Sequence, residues 1–167
     1  EEKKRVFFSG CPGMDLIKNI KNKKINKKFN ENFSYTGKKF LFDKKYILVI
    51  NHSVSTESKR KNLENISALL KTLSKMNYHK IMFWPNPDAH NDVISSQMRI
   101  FKEKYTKDDF TFIINASPED YVLLMSNASC LVGNSSSFIR EGSQLGKPAL
   151  LLGNRQNKRE VGKNVIY

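Results

Sequence analysis

The residues able to do chemistry lie in short polar segments, each following an apolar run. The clearest is Leu131-Val132-Gly133-Asn134-Ser135-Ser136-Ser137-Phe138-Ile139-Arg140-Glu141. An apolar run stops at a glycine, three hydroxyl residues follow, and apolar residues then resume with helical spacing. That pattern predicts a buried strand, a tight turn and a helix N-terminus. Helix N-termini carry unpaired N–H groups and partial positive charge, so they hold phosphate readily. Glu141 is expected about one and a half turns into that helix. Phosphate would repel a carboxylate there, so Glu141 suits uncharged hydroxyls, such as those of a ribose. The segment therefore predicts a nucleoside-diphosphate site, with Ser135 and Ser136 at the phosphates. Each of these residues has an ordinary alternative. Serine caps many helices, and an acid near a helix start compensates its dipole.

His52 directly follows the apolar run Tyr46-Ile47-Leu48-Val49-Ile50. At the carboxyl end of a strand, a histidine can act as acid, base or diphosphate donor. A hydrogen-bonded structural histidine fits the position equally well. Arg155 lies in a glycine-bounded loop, where it can meet a phosphate, the helix carrying Glu141, or only solvent. His79 and His90 read as solvated. No His, Cys or Asp pair has metal-ligand spacing, so no metal is expected. The second glycine of a nucleophile elbow is missing, and neither GxGxxG nor GxxxxGK[ST] occurs. Serine-nucleophile, dinucleotide and P-loop chemistry are therefore unsupported.

The elements that must position these residues alternate from residue 46 onward. Strands are predicted at Tyr46–Ile50, Ile81–Trp84, Phe110–Ile114, Cys130–Val132 and Ala149–Leu152, with Val165–Tyr167 opening a sixth. Helices are predicted at Asn62–Met76 and Asn91–Lys104, after the cap Ser117-Pro118-Glu119-Asp120, and from Ser135 to Gly146. Alternation means βαβ units: an α/β fold with a parallel sheet and helices on both faces. Ligands of such sheets bind beyond the carboxyl ends of the strands. Five loops then share one edge, at residues 51–53, 85–88, 116–117, 133–136 and 153–156. Before residue 46 the pattern is weaker. Val6–Gly10 reads as a short strand, Asp15 to about Phe29 as a helix, and residues 30–45 as a connecting loop.

The 167-residue chain is long enough for one full core and carries a net charge of +13. Residues 1–45 hold 13 Lys/Arg against 5 Asp/Glu, and the remainder holds 16 against 11. The basic residues are 23 Lys and only 6 Arg. Specific nucleic-acid readers lean on Arg for bidentate contacts, so nucleic acid is not the expected partner. No apolar run is long enough to span a membrane. No signal peptide is visible, and without an initiator Met the chain reads as part of a longer one. Cys11 and Cys130 suggest no disulfide framework, so a reduced, cytoplasmic setting is expected.

Five segments occur in order: Ser9-Gly10-Cys11-Pro12, Asn51-His52-Ser53-Val54-Ser55-Thr56-Glu57, Pro85-Asn86-Pro87-Asp88-Ala89, residues 133–141, and Gly153-Asn154-Arg155-Gln156-Asn157-Lys158-Arg159-Glu160. In these the chain resembles the C-terminal half of the hydrolysing UDP-N-acetylglucosamine 2-epimerases of sialic-acid biosynthesis. The resemblance covers nearly all of residues 5–167. It implies a Rossmann-like domain forming one half of a glycosyltransferase-B-type two-domain fold. Residues 1–13 would end the N-terminal domain or cross between domains, residues 14–45 would be a basic helix and connecting loop, and residues 46–167 would bind UDP.

The resemblance also implies the chemistry. UDP leaves by elimination across C1 and C2, and water adds to the glycal to give N-acetylmannosamine. No cofactor is implied. Ser135 and Ser136 would hold the diphosphate, Glu141 the ribose hydroxyls, and Ala116 the uracil through its backbone. Asn86 and Arg155 would line the cleft, and His52 is the catalytic candidate. Ser53 and Phe138 depart from the family pattern. The partners implied are a UDP-sugar, of GlcNAc or 2,4-diacetamido type, and an N-terminal domain of the same chain, in a full-length homo-oligomer. Alone, residues 1–167 are expected to bind UDP weakly and turn nothing over. Two other readings remain open: the donor domain of a UDP-sugar transferase of the same fold, and a non-catalytic basic module binding RNA or an anionic surface through residues 18–45.

Overall fold

The computed structural model describes residues 3–7, 9–20, 23–25, 29, 34–37, 40, 42, 44–105, 107 and 109–167. Seven strands form one sheet: β1 (Tyr35–Gly37), β2 (Tyr46–Ile50), β3 (His79–Phe83), β4 (Phe110–Ile113), β5 (Cys130–Gly133), β6 (Ala149–Leu151) and β7 (Val165–Ile166). Their order is β1-β4-β3-β2-β5-β6-β7. Every pairing is parallel except that of β1 with β4.

β2 is buried throughout, and its register places Leu48 between Ile81 and Leu131. Alternate residues of a strand face opposite sides of the sheet, which divides the core in two. Tyr46, Leu48 and Ile50 pack on α1 (Pro12–Ile20) and α4 (Pro118–Asn127) through Ile17, Ile20, Val122 and Met125. Ile47 and Val49 pack on α2 (Lys59–Leu73) and α3 (Asn91–Lys104) through Ile66, Leu70, Ile94 and Met98. Helices thus cover both faces, as the alternation predicts.

The N-terminal quarter differs from expectation. β1 lies within residues 30–45, where a loop was expected. Its three residues are too few to show alternation, and it forms by covering the edge of β4 (Tyr35 opposite Ile113). Gly37 permits that approach: at φ +96°, an added Cβ would stand 2.8 Å from the Phe110 carbonyl oxygen. α1 starts three residues before Asp15, with Pro12 at its first position, where the missing N–H costs nothing. It ends at Ile20 rather than near Phe29. Residues 23–25 are not helical, and residues 21, 22 and 26–28 lie outside the described set. Val6, Phe7, Ser9 and Gly10 are exposed and form no strand; Phe8 lies outside the described residues.

The helix expected from Ser135 to Gly146 is broken. A 3₁₀ turn covers Ser136–Phe138, and α5 covers only Glu141–Gln144. A serine cap and a carbonyl shared between two N–H groups are typical of a 3₁₀ turn at a helix start. Here Ser135 Oγ accepts from the Ser137 N–H, and the Ser136 carbonyl accepts from both Ile139 and Arg140. Glu141 therefore opens α5 instead of lying deep in a longer helix.

Among the described residues, one charge is fully buried. Lys80 donates to Asp109 Oδ2 at 2.7 Å and to the Met76 carbonyl at 3.1 Å, and it sits 4.6 Å from the centre of the Phe110 ring. Asp109→Ala strands that ammonium. Because the carboxylate is partly solvated (27% exposed), the expected cost is about 2 kcal/mol, read as a lowered urea midpoint. An unchanged midpoint would show the pair to be dispensable.

Candidate functional site

The loops leaving β2, β3, β4, β5 and β6 share one edge of the sheet, as parallel topology requires. Those after β2, β3, β4 and β5 line a cavity of about 260 Å³, whose walls include His52, Asn86, Ala116, Tyr121, Ser135 and Ser137.

Two of these loops are joined by Asn134. Its Oδ1 accepts from the His52 N–H at 2.8 Å, and its Nδ2 donates to the His52 carbonyl at 2.7 Å. The side chain thus extends the β2–β5 pairing beyond the last backbone rung, Ile50 to Gly133. Gln156 Nε2 donates to the Asn134 carbonyl at 2.8 Å, bringing in the loop after β6.

His52 is 8% exposed. Its Nδ1 accepts the Asn86 N–H at 3.3 Å. That bond selects the tautomer with its proton on Nε2. Burial pushes the His52 pKa below the usual 6.5; Arg155 lowers it further and Asp88 opposes. Arg155 and Asp88 are paired at 3.1 Å. A neutral imidazole is a hydrogen-bond donor to an anion at neutral pH without bringing a charge of its own.

A titration follows from this. In the free protein, the His52 ring signals should shift with a midpoint below 6.5 in an NMR experiment. The unfolded chain then takes up its proton first as pH falls. The stability carried by neutral His52 is complete above about pH 6.5 and is lost below it. Adding UDP should move the midpoint upward, because a nearby anion favours imidazolium. A midpoint at or above 6.5 in the free protein would contradict the burial argument.

Ser135 caps the 3₁₀ turn. Its Oγ lies 2.8 Å from Ser137 Oγ, which is in turn hydrogen-bonded to the Tyr121 hydroxyl. Burial raises the Tyr121 pKa to about 12, so the phenol stays protonated. Three hydroxyls therefore adjoin one wall of the cavity.

The structure brings together His52, Asn86, Ala116 and Ser135 around this cavity. Ser136 is the next residue of the same turn and does not line it. Arg155 is linked to the site through Asp88 and its effect on His52. Glu141 lies apart, beside the start of α1. An added Cβ on Gly13 would stand 4.0 Å from Glu141 Oε1, and Oε2 is buried without a partner. Its carboxylate still acts on Tyr121, raising that pKa.

Sequence reasoning passed over Asn134, Tyr121 and Asp88 as site residues. Asn134 had one legible signal, an amide after a strand-ending glycine. Tyr121 had none: on a helix its ring reads as core, and only the turn of the chain sets it beside Ser137. Asp88 stood in a quoted loop, but its pairing with Arg155 spans 67 residues.

The profile of the family described as UDP-N-acetylglucosamine 2-epimerase matches residues 1–167. The chain is 30% identical over 167 residues to the GDP/UDP-N,N'-diacetylbacillosamine 2-epimerase (hydrolyzing) of Campylobacter jejuni, covering 99% of this chain and 41% of that protein. It is 26% identical over 167 residues to the UDP-N-acetylglucosamine 2-epimerase of Neisseria meningitidis, covering 100% of this chain and 41% of that protein. It thus spans about two fifths of the length of these relatives. In fold it resembles the UDP-GlcNAc 2-epimerase of Methanocaldococcus jannaschii, solved with UDP-GlcNAc and UDP, with a TM-score of 0.56 at 16% identity, over 91% of this chain and 40% of that one. That likeness fits a Rossmann-like unit of the glycosyltransferase-B type. With a profile match over the whole chain, the chain belongs to the UDP-N-acetylglucosamine 2-epimerase family.

Proposed function

We propose that this chain is the nucleotide-binding half of a hydrolysing UDP-N-acetylglucosamine 2-epimerase, or of a close relative acting on the 2,4-diacetamido sugar. In the reaction, a base takes the proton from C2, the C1–O bond to UDP breaks, and a C1=C2 double bond forms. Water then adds its oxygen at C1 and a proton at C2 from the other face, giving N-acetylmannosamine and free UDP. The base and acid would come from a further domain of the full-length protein. Two relatives carry "hydrolyzing" in their names, which favours the water-adding course.

The observation that carries this reading is the strand-end cavity with a neutral His52 on one side and the Ser135–Ser137 hydroxyls on another. Such a site suits a diphosphate. Ser135 would bind it from the cavity wall, and Ser136 would reach it from the next position, at the start of the 3₁₀ turn. His52 would donate from Nε2 to the departing diphosphate, with Arg155 adding positive field. The Ala116 backbone would meet the uracil. Glu141, which like Ser136 and Arg155 does not line the cavity, would reach the ribose hydroxyls from beside Gly13. The same reading takes residues 1–13 as the end of the N-terminal domain or the interdomain crossover, residues 14–45 as a basic helix and connecting loop, and residues 46–167 as the nucleotide-binding unit, in a cytoplasmic, homo-oligomeric enzyme.

UDP, UDP-GlcNAc and UMP should be titrated calorimetrically into the full-length protein, with products followed by NMR. UDP should bind more tightly than UMP, and N-acetylmannosamine should accumulate without any acceptor. Sugar transfer that requires an acceptor would instead establish a transferase. Failure of UDP to bind, or binding that vanishes between 50 and 200 mM salt, would overturn the reading.

A further inference from the structure

Ser135 is joined to two other hydroxyls, and their order matters. The Tyr121 hydroxyl is bonded to Ser137 Oγ, and Ser137 Oγ lies 2.8 Å from Ser135 Oγ. The Ser137 N–H also donates to Ser135 Oγ, at 3.4 Å. Each hydroxyl has one proton to give. A backbone N–H can only donate, so one lone pair of Ser135 is already taken. A phenol is a better hydrogen-bond donor and a weaker acceptor than an alcohol, so Tyr121 takes the donor end of the three.

We infer that Tyr121 is a positioning residue that orients the Ser135 hydroxyl toward an anion in the strand-end cavity. The order is Tyr121 O–H to Ser137 Oγ, then Ser137 O–H to Ser135 Oγ. Ser135 then has accepted twice, and its own proton points away from both donors, into the cavity. Hydrogen bonds in such a chain polarise one another, so the terminal donor is strengthened. The ring is held independently: it packs edge-on against Phe83, with centroids 5.5 Å apart, and α4 carries it. Its hydroxyl is therefore delivered to Ser137 at little entropic cost. This inference rests on the diphosphate reading of the cavity and adds a residue to it.

The test uses Tyr121→Phe, Ser137→Ala and the double variant in the full-length protein, with UDP and uridine as probes. Tyr121→Phe keeps the ring and its packing. It should weaken UDP about 5- to 10-fold and leave uridine affinity unchanged, because uridine offers no phosphate to Ser135. Ser137→Ala should give a loss of the same size. The double variant should be no weaker than either single one, since both break the same chain. Equal weakening of UDP and uridine would mean that Tyr121 serves only to pack the nucleoside, and the inference would fall. Additive losses would overturn it too. If unaltered protein binds no UDP, the diphosphate reading itself is wrong. If it binds UDP and Tyr121→Phe matches it, only the relay is wrong.

Discussion

Gly133→Ala should abolish folding or nearly so. The residue lies at φ +142°, and an added Cβ would stand 1.8 Å from the Ile50 carbonyl oxygen and 2.7 Å from its carbon. That oxygen already accepts from the Asn134 N–H at 3.0 Å, so the two strands cannot part without losing the link that starts the site. Both obstacles are backbone, and no rotamer change relieves them. A loss of about 4 kcal/mol or more is expected, a large share of a domain's whole stability. Gly146→Ala is the control. It too has positive φ, +65°, but an added Cβ there meets nothing within 4 Å. It should cost about 1 kcal/mol, the left-handed penalty alone. Thermal melts by circular dichroism compare the two. Equal melting temperatures would show that β5 can shift away from β2, against the packing described.

The second large effect belongs to Asn134→Ala. The change removes both bonds to the His52 backbone and leaves a buried N–H and a buried carbonyl without partners. Each orphaned group costs roughly 1–3 kcal/mol, so a loss of about 2–6 kcal/mol is expected. The functional loss should be larger in kind. Freed from its clamp, His52 no longer holds Nε2 at a fixed place, and kcat/KM of the full-length protein should fall about 100-fold. Asn134→Asp separates the two contributions. It keeps the acceptor for the His52 N–H but sets an oxygen against the His52 carbonyl, so it should also fail to restore turnover. The His52 ring signals should broaden or move in both variants. Unchanged turnover and unchanged signals would show that His52 is positioned by its own loop and not by Asn134.

These expectations show where the sequence was legible. β2, β4, α3 and the start of α4 were readable because each signal is local: a β-branched apolar run, a 3.6-residue spacing, or a Ser-Pro cap. Ser117 does accept from the Asp120 N–H at 3.1 Å, as that cap demands. β1 was not legible, because a three-residue edge strand forms only once β4 offers its open side. The break between the 3₁₀ turn and α5 was hidden for a related reason. Apolar spacing through Phe138 and Ile139 is helical, but the first turn closes as a 3₁₀ turn, with the Ser136 carbonyl shared between the Ile139 and Arg140 N–H groups.

For the site, the sequence by itself determined which loops meet. Parallel βαβ order sends every strand's carboxyl end to one edge, so His52, Asn86, Ala116 and Ser135 had to be neighbours wherever the chain folded. Only the tertiary structure decided what each does there. The tautomer of His52 depends on the Asn86 N–H, 34 residues away. The clamp on its backbone comes from Asn134, 82 residues away. Glu141 stands beside Gly13 because α1 packs against α5. Hydrogen bonds act over about 3 Å of space and take no account of distance along the chain. Periodicity can place an element, but a donor finds its acceptor only after the elements have packed.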